Sequence, residues 1–441
     1  MNFKTVVLLL LGLFIVSCIN DEKTLSLSEK NLVIPYEGGD ISLDISLGSN
    51  WRIANSTDWI SVSSNEGYGS ETIDITVEGN LAEERNTTIE VTDESGSSIV
   101  HIKQLAKSPG VEFLYKIPIV FHVLYNDIND SKQNTPYSHL EQILDSVNKL
   151  FRNAGPNSAD LNVEFYLAKR DPMGNLLKEP GVERVHWHSA TMNAPRFMNS
   201  TKKEDLALIW DPNKYVNVIL YNFENSAILG ISAFPLVPSD KPMKHLDQVA
   251  SHTLDVSQLD KMRCVSLNSI HITDKKEDSP FMPSNPAATL AHELGHYLGL
   301  RHTFSEKGNI LVGCQDSDGY MDTPTYDKQE YDRKVEYLLR RIQNDSIAKK
   351  EFSFSTLYER NACYGGGKFV SRNIMDYDYC HKNQFTQEQK EIVRHVLTYS
   401  PFIPGPKIIE NSKLNDKQHA KNIVIPYTAS NCPEIIEFPK F

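Results

Sequence analysis

Five residues between positions 292 and 302 could do chemistry together: His292, Glu293, His296, Gly299 and His302, spaced H-E-x-x-H-x-x-G-x-x-H. On a helix, residues four apart share a face, so His292 and His296 can aim two imidazoles at one metal ion. Glu293 stands one step round from the first and can reach a water on the metal without binding the metal itself. His302 lies too far along to share that face on an unbroken helix. Gly299 resolves this, because a residue without a Cβ can take the left-handed conformation that ends a helix and turns the chain. Three neutral nitrogens leave a tetrahedral zinc with one open position, which is the arrangement of a catalytic site. The first two histidines alone would be a modest signal; the added glycine and third histidine take it well beyond chance.

The surrounding residues predict the elements that must hold this group. Asn285 is a suitable N-cap, Pro286 fits a first turn, and Ala287, Ala288, Leu290, Ala291 and Leu294 are strong helix formers. Upstream, 116–125 (K-I-P-I-V-F-H-V-L-Y) is almost continuously apolar and β-branched, as a buried strand is. Its His122 reads as a satisfied core histidine with no ligand role. Residues 139–151 carry a helical period through Leu140, Ile143, Leu144, Val147 and Phe151, while 162–168 and 215–221 read as strands. This order implies an α+β domain with helices packed on a twisted sheet.

The chain has 441 residues, room for two or three domains, and 45 basic against 57 acidic residues give a net charge of −12. That balance argues against a nucleic-acid partner and supplies no polybasic patch for a membrane surface. Lys4 precedes an apolar run at 6–16, so 1–17 reads as a secretory leader too short to span a bilayer. I-V-S-C at 15–18 resembles the bacterial lipobox, which implies cleavage before Cys18 and a lipid on its thiol. The acidic tether 18–24 resembles the export signal of surface lipoproteins, implying an outer-membrane lipoprotein exposed at the cell surface.

Residues 25–106 read as all-β, with alternating segments at 41–45, 72–77, 87–91 and 99–102 between Gly, Asn, Ser and Asp clusters. A small immunoglobulin-like antiparallel sandwich is expected. Trp51, Trp59, Ile60, the glycine turn at 67–69, Asn80, Arg85 and Gln104 resemble the BACON module. Two uses stay open: a glycan-binding surface built on exposed tryptophans, or a spacer with Trp51 and Trp59 in its core.

Past a linker at 107–110, a family resemblance gathers. Its landmarks are I-P-I-V-F-H-V, L-N-V-E-F-Y-L-A-K-R-D-P-M-G-N, Y-V-N-V-I-L-Y-N and I-L-G-I-S-A-F-P at 228–235. The histidine signature with Thr303 and Phe304 follows, then D-T-P at 322–324, N-I-M-D-Y at 373–377, and Phe385, Thr386 and Gln389. From about 117 to 397 the chain resembles pappalysin-type metzincin peptidases. The resemblance implies a metzincin domain at 112–400, with zinc on His292, His296 and His302 and a peptide bond attacked by water that Glu293 deprotonates. Met375 becomes the methionine of the Met-turn beneath the imidazoles. Tyr377 either stabilises the oxyanion or packs under the site.

The resemblance also implies a Cys314–Cys363 disulfide, in keeping with an oxidising compartment, and leaves Cys380 to pair with Cys264 or Cys432 or to stay free. Some relatives hold calcium in the loop that carries Asp316, Asp318 and Asp322; a solvated acidic loop is the other reading, and the preferred one. The charged insertion 325–362, helical from about 328 to 347, either shapes the primed side of the cleft or packs outside it. Residues 401–441 carry no motif. The protein expected is a surface-anchored zinc endopeptidase acting on proteins or peptides. Its rival is a glycan- or protein-binding lipoprotein with an inactive metzincin domain.

Overall fold

Tyr115–Tyr125 is the strand on which the second half of the chain is assembled. In the computed structural model, which describes residues 25–408 except 154, 156, 273–284, 308–309, 316–317 and 366, its residues from Ile117 to Leu124 are almost all buried. Parallel neighbours flank it: Val163–Leu167 and Val182–His186 on one edge, Val216–Tyr221 on the other. Val265–Asn268 continues the parallel order, and Gly230–Ser232 closes the sheet as an antiparallel edge strand. A mostly parallel sheet must be covered on both faces, and alternation along the strands divides them. Val218, Leu220, Val265 and Leu267 face one core; Ile219, Tyr221 and Cys264 face the other, under the short helix Ala194–Met198.

The first core is capped by two helices packed on each other, Tyr137–Asn153 and Pro286–Tyr297. Leu140, Ile143, Leu144, Val147 and Phe151 recur at helical spacing and all enter it. The Phe151 ring meets Phe165 at 5.1 Å and Phe385 at 5.2 Å, tying helix, sheet and the later Gln387–Tyr399 segment together. The expected α+β domain is borne out. His122 is bonded at both ring nitrogens, to Glu183 Oε2 at 2.6 Å and Asn217 Oδ1 at 2.9 Å, as a satisfied core histidine should be.

The N-terminal part is the expected two-sheet sandwich. One sheet runs Ser26–Leu27, Gly39–Ser46, Glu71–Val77, Ile60–Val62; the other runs Asn31–Ile34, Ser97–Gln104, Arg85–Asp93, Asn50–Asn55, Glu66–Tyr68. One feature departs from an all-antiparallel design: Asn31–Ile34 pairs parallel to Ser97–Gln104. Trp51 is in the core and donates its indole N–H to the Gly69 carbonyl at 3.1 Å. The Trp59 ring lies under the Arg85 guanidinium at 4.1 Å. Arg85 also donates to Gln104 Oε1 at 2.7 Å, and Gln104 to the Glu78 carbonyl at 2.8 Å, so the residues that carry the BACON resemblance bond one another.

The two parts are docked. Arg170 meets the Asp74 carboxylate at 2.6 Å, and Phe113 lies against Tyr36 with ring centroids 5.5 Å apart. Residues 401–408 return across this joint. Phe402 and Ile403 are buried, and the Phe402 carbonyl accepts from the Tyr297 hydroxyl at 3.1 Å. The motif-free tail expected from 401 thus begins with packed residues. The leader 1–17, the tether 18–24 with Cys18, Asp316, Cys432 and the chain past 408 lie outside the described residues.

Candidate metal centre

Asn285 accepts the Ala288 N–H at 2.9 Å and starts the helix Pro286–Tyr297, whose first two turns of small and apolar residues sink it into the core. Its end is set by Gly299 at φ +94°. Gly299 donates to the His296 carbonyl and Leu300 to the Gly295 carbonyl, each at 2.9 Å, the paired bonds of a Schellman ending. The chain leaves in the direction that returns His302.

The three Nε2 atoms converge: His296 stands 3.1 Å from both His292 and His302, which are 3.3 Å apart. Each Nδ1 is committed elsewhere, to the Ile374 carbonyl at 2.8 Å, the Leu300 carbonyl at 2.7 Å and Glu306 Oε1 at 2.9 Å. All three partners are acceptors, so Nδ1 carries the proton and Nε2 keeps its lone pair for an ion. Burial and the neighbouring imidazoles hold His292 and His296 well below the ordinary histidine value, which keeps them neutral. A tetrahedral zinc with bonds of about 2.0–2.1 Å needs its nitrogens roughly 3.3–3.4 Å apart, so the group fits that ion. Among the described residues it is the one cluster of three or more metal-binding side chains.

Glu293 is fully buried beside the triad. The edge strand Gly230–Ser232 runs against it so closely that a Cβ on Gly230 would fall 2.6 Å from Glu293 Cγ. Met375 is buried beneath the helix, and a Cβ on Gly295 would fall 2.4 Å from its sulfur. The Tyr377 ring lies 4.3 Å from His302 and 4.9 Å from Phe304, centroid to centroid. Tyr377, Met375 and the triad are therefore brought together.

The acidic loop behaves differently. Asp318 accepts from Tyr320 N and the Thr323 hydroxyl, while Asp322 accepts the Glu388 N–H at 3.0 Å, at the start of the helix Gln387–Tyr399. These two carboxylates serve separate turns. Cys314 and Cys363 form a disulfide with Cα atoms 5.4 Å apart. Cys264 and Cys380 are buried thiols that do not pair with each other.

Sequence reasoning missed Glu306, Gly230 and Gly295. Glu306 had a local signal, a carboxylate four residues after His302. The two glycines had none, because what they avoid is a side chain distant in sequence.

Two histidines a turn apart and a third returned by a glycine turn, with a methionine beneath them, make a site that could hold one metal ion. Residues 199–398 match the model of the peptidase M43 family, described as pregnancy-associated plasma protein-A. Residues 49–105 match the BACON family, described as a putative binding domain. An extracellular metalloprotease of Arthroderma otae is 34% identical over 107 residues, 24% of this chain and 29% of the relative; one from Arthroderma benhamiae matches equally. The chain thus spans under a third of the length of these curated relatives. Among solved structures, Tannerella forsythia mature mirolysin in complex with a cleaved peptide gives a TM-score of 0.43 at 22% identity, over 64% of this chain and 92% of that one. A Bacteroides ovatus GH5 xyloglucanase gives 0.19 at 15% identity, over 46% of this chain and 57% of its own.

Proposed function

We propose that this chain is a zinc-dependent endopeptidase acting on extracellular or surface proteins. The observation that carries the reading is the triangle of Nε2 atoms at 3.1–3.3 Å, each imidazole oriented through its Nδ1–H, with Glu293 buried next to His292 on the same helix. His292, His296 and His302 would hold the ion. Zinc, when bound, polarises a peptide carbonyl and acidifies water. Glu293 takes the proton from the attacking water and delivers it to the leaving amine. The buried helix and the close edge strand hold that carboxylate in place. Tyr377 donates its hydroxyl proton as a hydrogen bond to the oxyanion, while Met375 serves as the apolar floor.

Glu293→Gln tests this. Purified variant and parent should hold the same zinc, and cleavage of a denatured protein should fall roughly 10²–10⁴-fold in the variant. A variant that cleaves like the parent removes Glu293 from the reaction.

The finer parts of the reading follow. The chain divides at 25–106 and 112–400. The first unit is a spacer, since Trp51 is core and Trp59 is covered by Arg85. The same burial leaves a glycan at this module without its tryptophans. A lipid on Cys18 anchors the protein to the outer membrane, and Cys18→Ala should move it from the membrane fraction to the medium. Calcium at Asp316, Asp318 and Asp322 has little behind it, because the latter two are engaged in turns.

A further inference from the structure

The insertion 325–362 is built against the residues that carry Tyr377. It leaves the core at Tyr326 and returns at Ala362, which form a β-bridge, and Cys363 is tied to Cys314 by the disulfide. Between them run the helices Lys328–Asn344 and Ser346–Glu351. Two cations of this insertion reach the two aspartates on either side of Tyr377.

Arg360 has a fully buried side chain, with its guanidinium 3.6 Å from the centre of the Tyr331 ring. It stands 3.4 Å from Asp376 Oδ2 and donates to the carbonyls of Tyr377 at 3.3 Å and Tyr379 at 3.0 Å. The Asp376 carboxylate also accepts from the Tyr326 hydroxyl at 2.5 Å, from the Ser371 hydroxyl and from the Tyr377 N–H at 2.7 Å. Lys328, nearly buried, bridges Asp332 and Asp378 at 2.7 Å each and stands 5.5 Å above the Tyr377 ring centre. Asp378 sits at φ +55°, a conformation that fixes the turn after the tyrosine.

A buried ion pair contributes little net stability compared with apolar packing, so one buried pair and one part-buried pair flanking a single residue point to geometry. We propose that the insertion is a clamp that positions Tyr377: Arg360 and Lys328 hold Asp376 and Asp378, and thereby keep the tyrosine ring against His302. Lys328 and Arg360 are positioning residues; neither touches substrate. This rests on the reading of Tyr377 as a donor to the oxyanion. It assigns the insertion to the catalytic apparatus, where its charge alone would suggest a solvated appendage.

Arg360 lies under two aromatic rings and its loss would disturb folding, so the test uses Lys328→Met and Asp378→Asn, the latter because Asn tolerates the left-handed turn. Each is made in the parent and in Tyr377→Phe, and kcat and KM are measured on a peptide alongside Glu293→Gln. Near-UV circular dichroism of the metal-free protein and zinc affinity by chelator competition are read for every variant. In the parent, each change should lower kcat roughly tenfold with KM within about twofold. In the Tyr377→Phe background the same changes should cost less than about twofold, because the residue they act through is already gone. Zinc affinity should be unchanged, the tyrosine signals of the metal-free protein should weaken, and Lys328→Arg should restore kcat. Equal losses in both backgrounds, or no loss in the parent, would overturn the clamp while leaving Tyr377 its role. An undiminished kcat in Tyr377→Phe would overturn both, while a Glu293→Gln that has lost cleavage would still support the peptidase reading.

Discussion

Glu306 accepts the Nδ1–H of His302 with both groups nearly buried, so its charge acts on the ring without much screening. Such a partner fixes the tautomer and strengthens the lone pair on the opposite nitrogen. Glu306→Ala should weaken zinc binding roughly 10–100-fold, read by chelator competition, with Glu306→Gln between it and the parent. Gly230 works through space. The methyl group of Gly230→Ala would need the position that Glu293 Cγ occupies, and the side chain gives way before the sheet does. Its kcat should fall roughly 100-fold with zinc content and melting temperature close to the parent's, since a misplacement of about 1 Å costs that much. A fully active Gly230→Ala would show that the carboxylate has room to spare. Both residues were visible as letters. Only Glu306 was readable in principle, because its partner is local, whereas Gly230 and Glu293 meet through the fold.

The histidine helix and its ending were the most legible elements. N-cap, first-turn proline, alanine run and terminal glycine are signals within one stretch, and the structure spends each as expected. Gly299→Ala forces a residue with a Cβ into the left-handed region, at about 1–2 kcal/mol, and sets that atom 3.0 Å from Val396 Cγ2. Its melting temperature should drop by about 2–4 °C per kcal/mol. Zinc binding should weaken too, because the turn aims His302; a variant with parent-like affinity would separate the turn from the triad. The insertion was legible only as a charged helix. Lys328 and Arg360 sit among many charges, and patterning alone sends such residues to solvent. Their aspartate partners follow Met375, far along the chain, so the burial of these cations could not be read locally.

Across the whole molecule, folding stability should depend on pH through His292 and His296. An unfolded chain protonates its histidines as pH falls through about 6.5, whereas folding holds His292 and His296 well below that value. The unfolded state therefore binds more protons in acid, and the metal-free protein should lose melting temperature as pH drops below about 6.5. His292→Gln should flatten that slope, and a slope equal to the parent's would place the effect elsewhere. The joint between sandwich and sheet was the least legible feature at this scale. It is made by Asp74 with Arg170, Tyr36 with Phe113, and Gly79 with Pro406, pairs from distant parts of the chain. Pro406 belongs to the stretch 401–408, which also lies over Tyr115 through Gly405 and bonds Asn213 and Thr398. A polypeptide that emerges amino end first shows its half of this seam early and waits for nearly everything else before the closing strip arrives. Aromatic surface at Phe113 and Tyr115 stays open in the meantime, so a nascent chain needs shelter there, and a recombinant product trimmed at residue 400 would keep that greasy seam permanently unsealed.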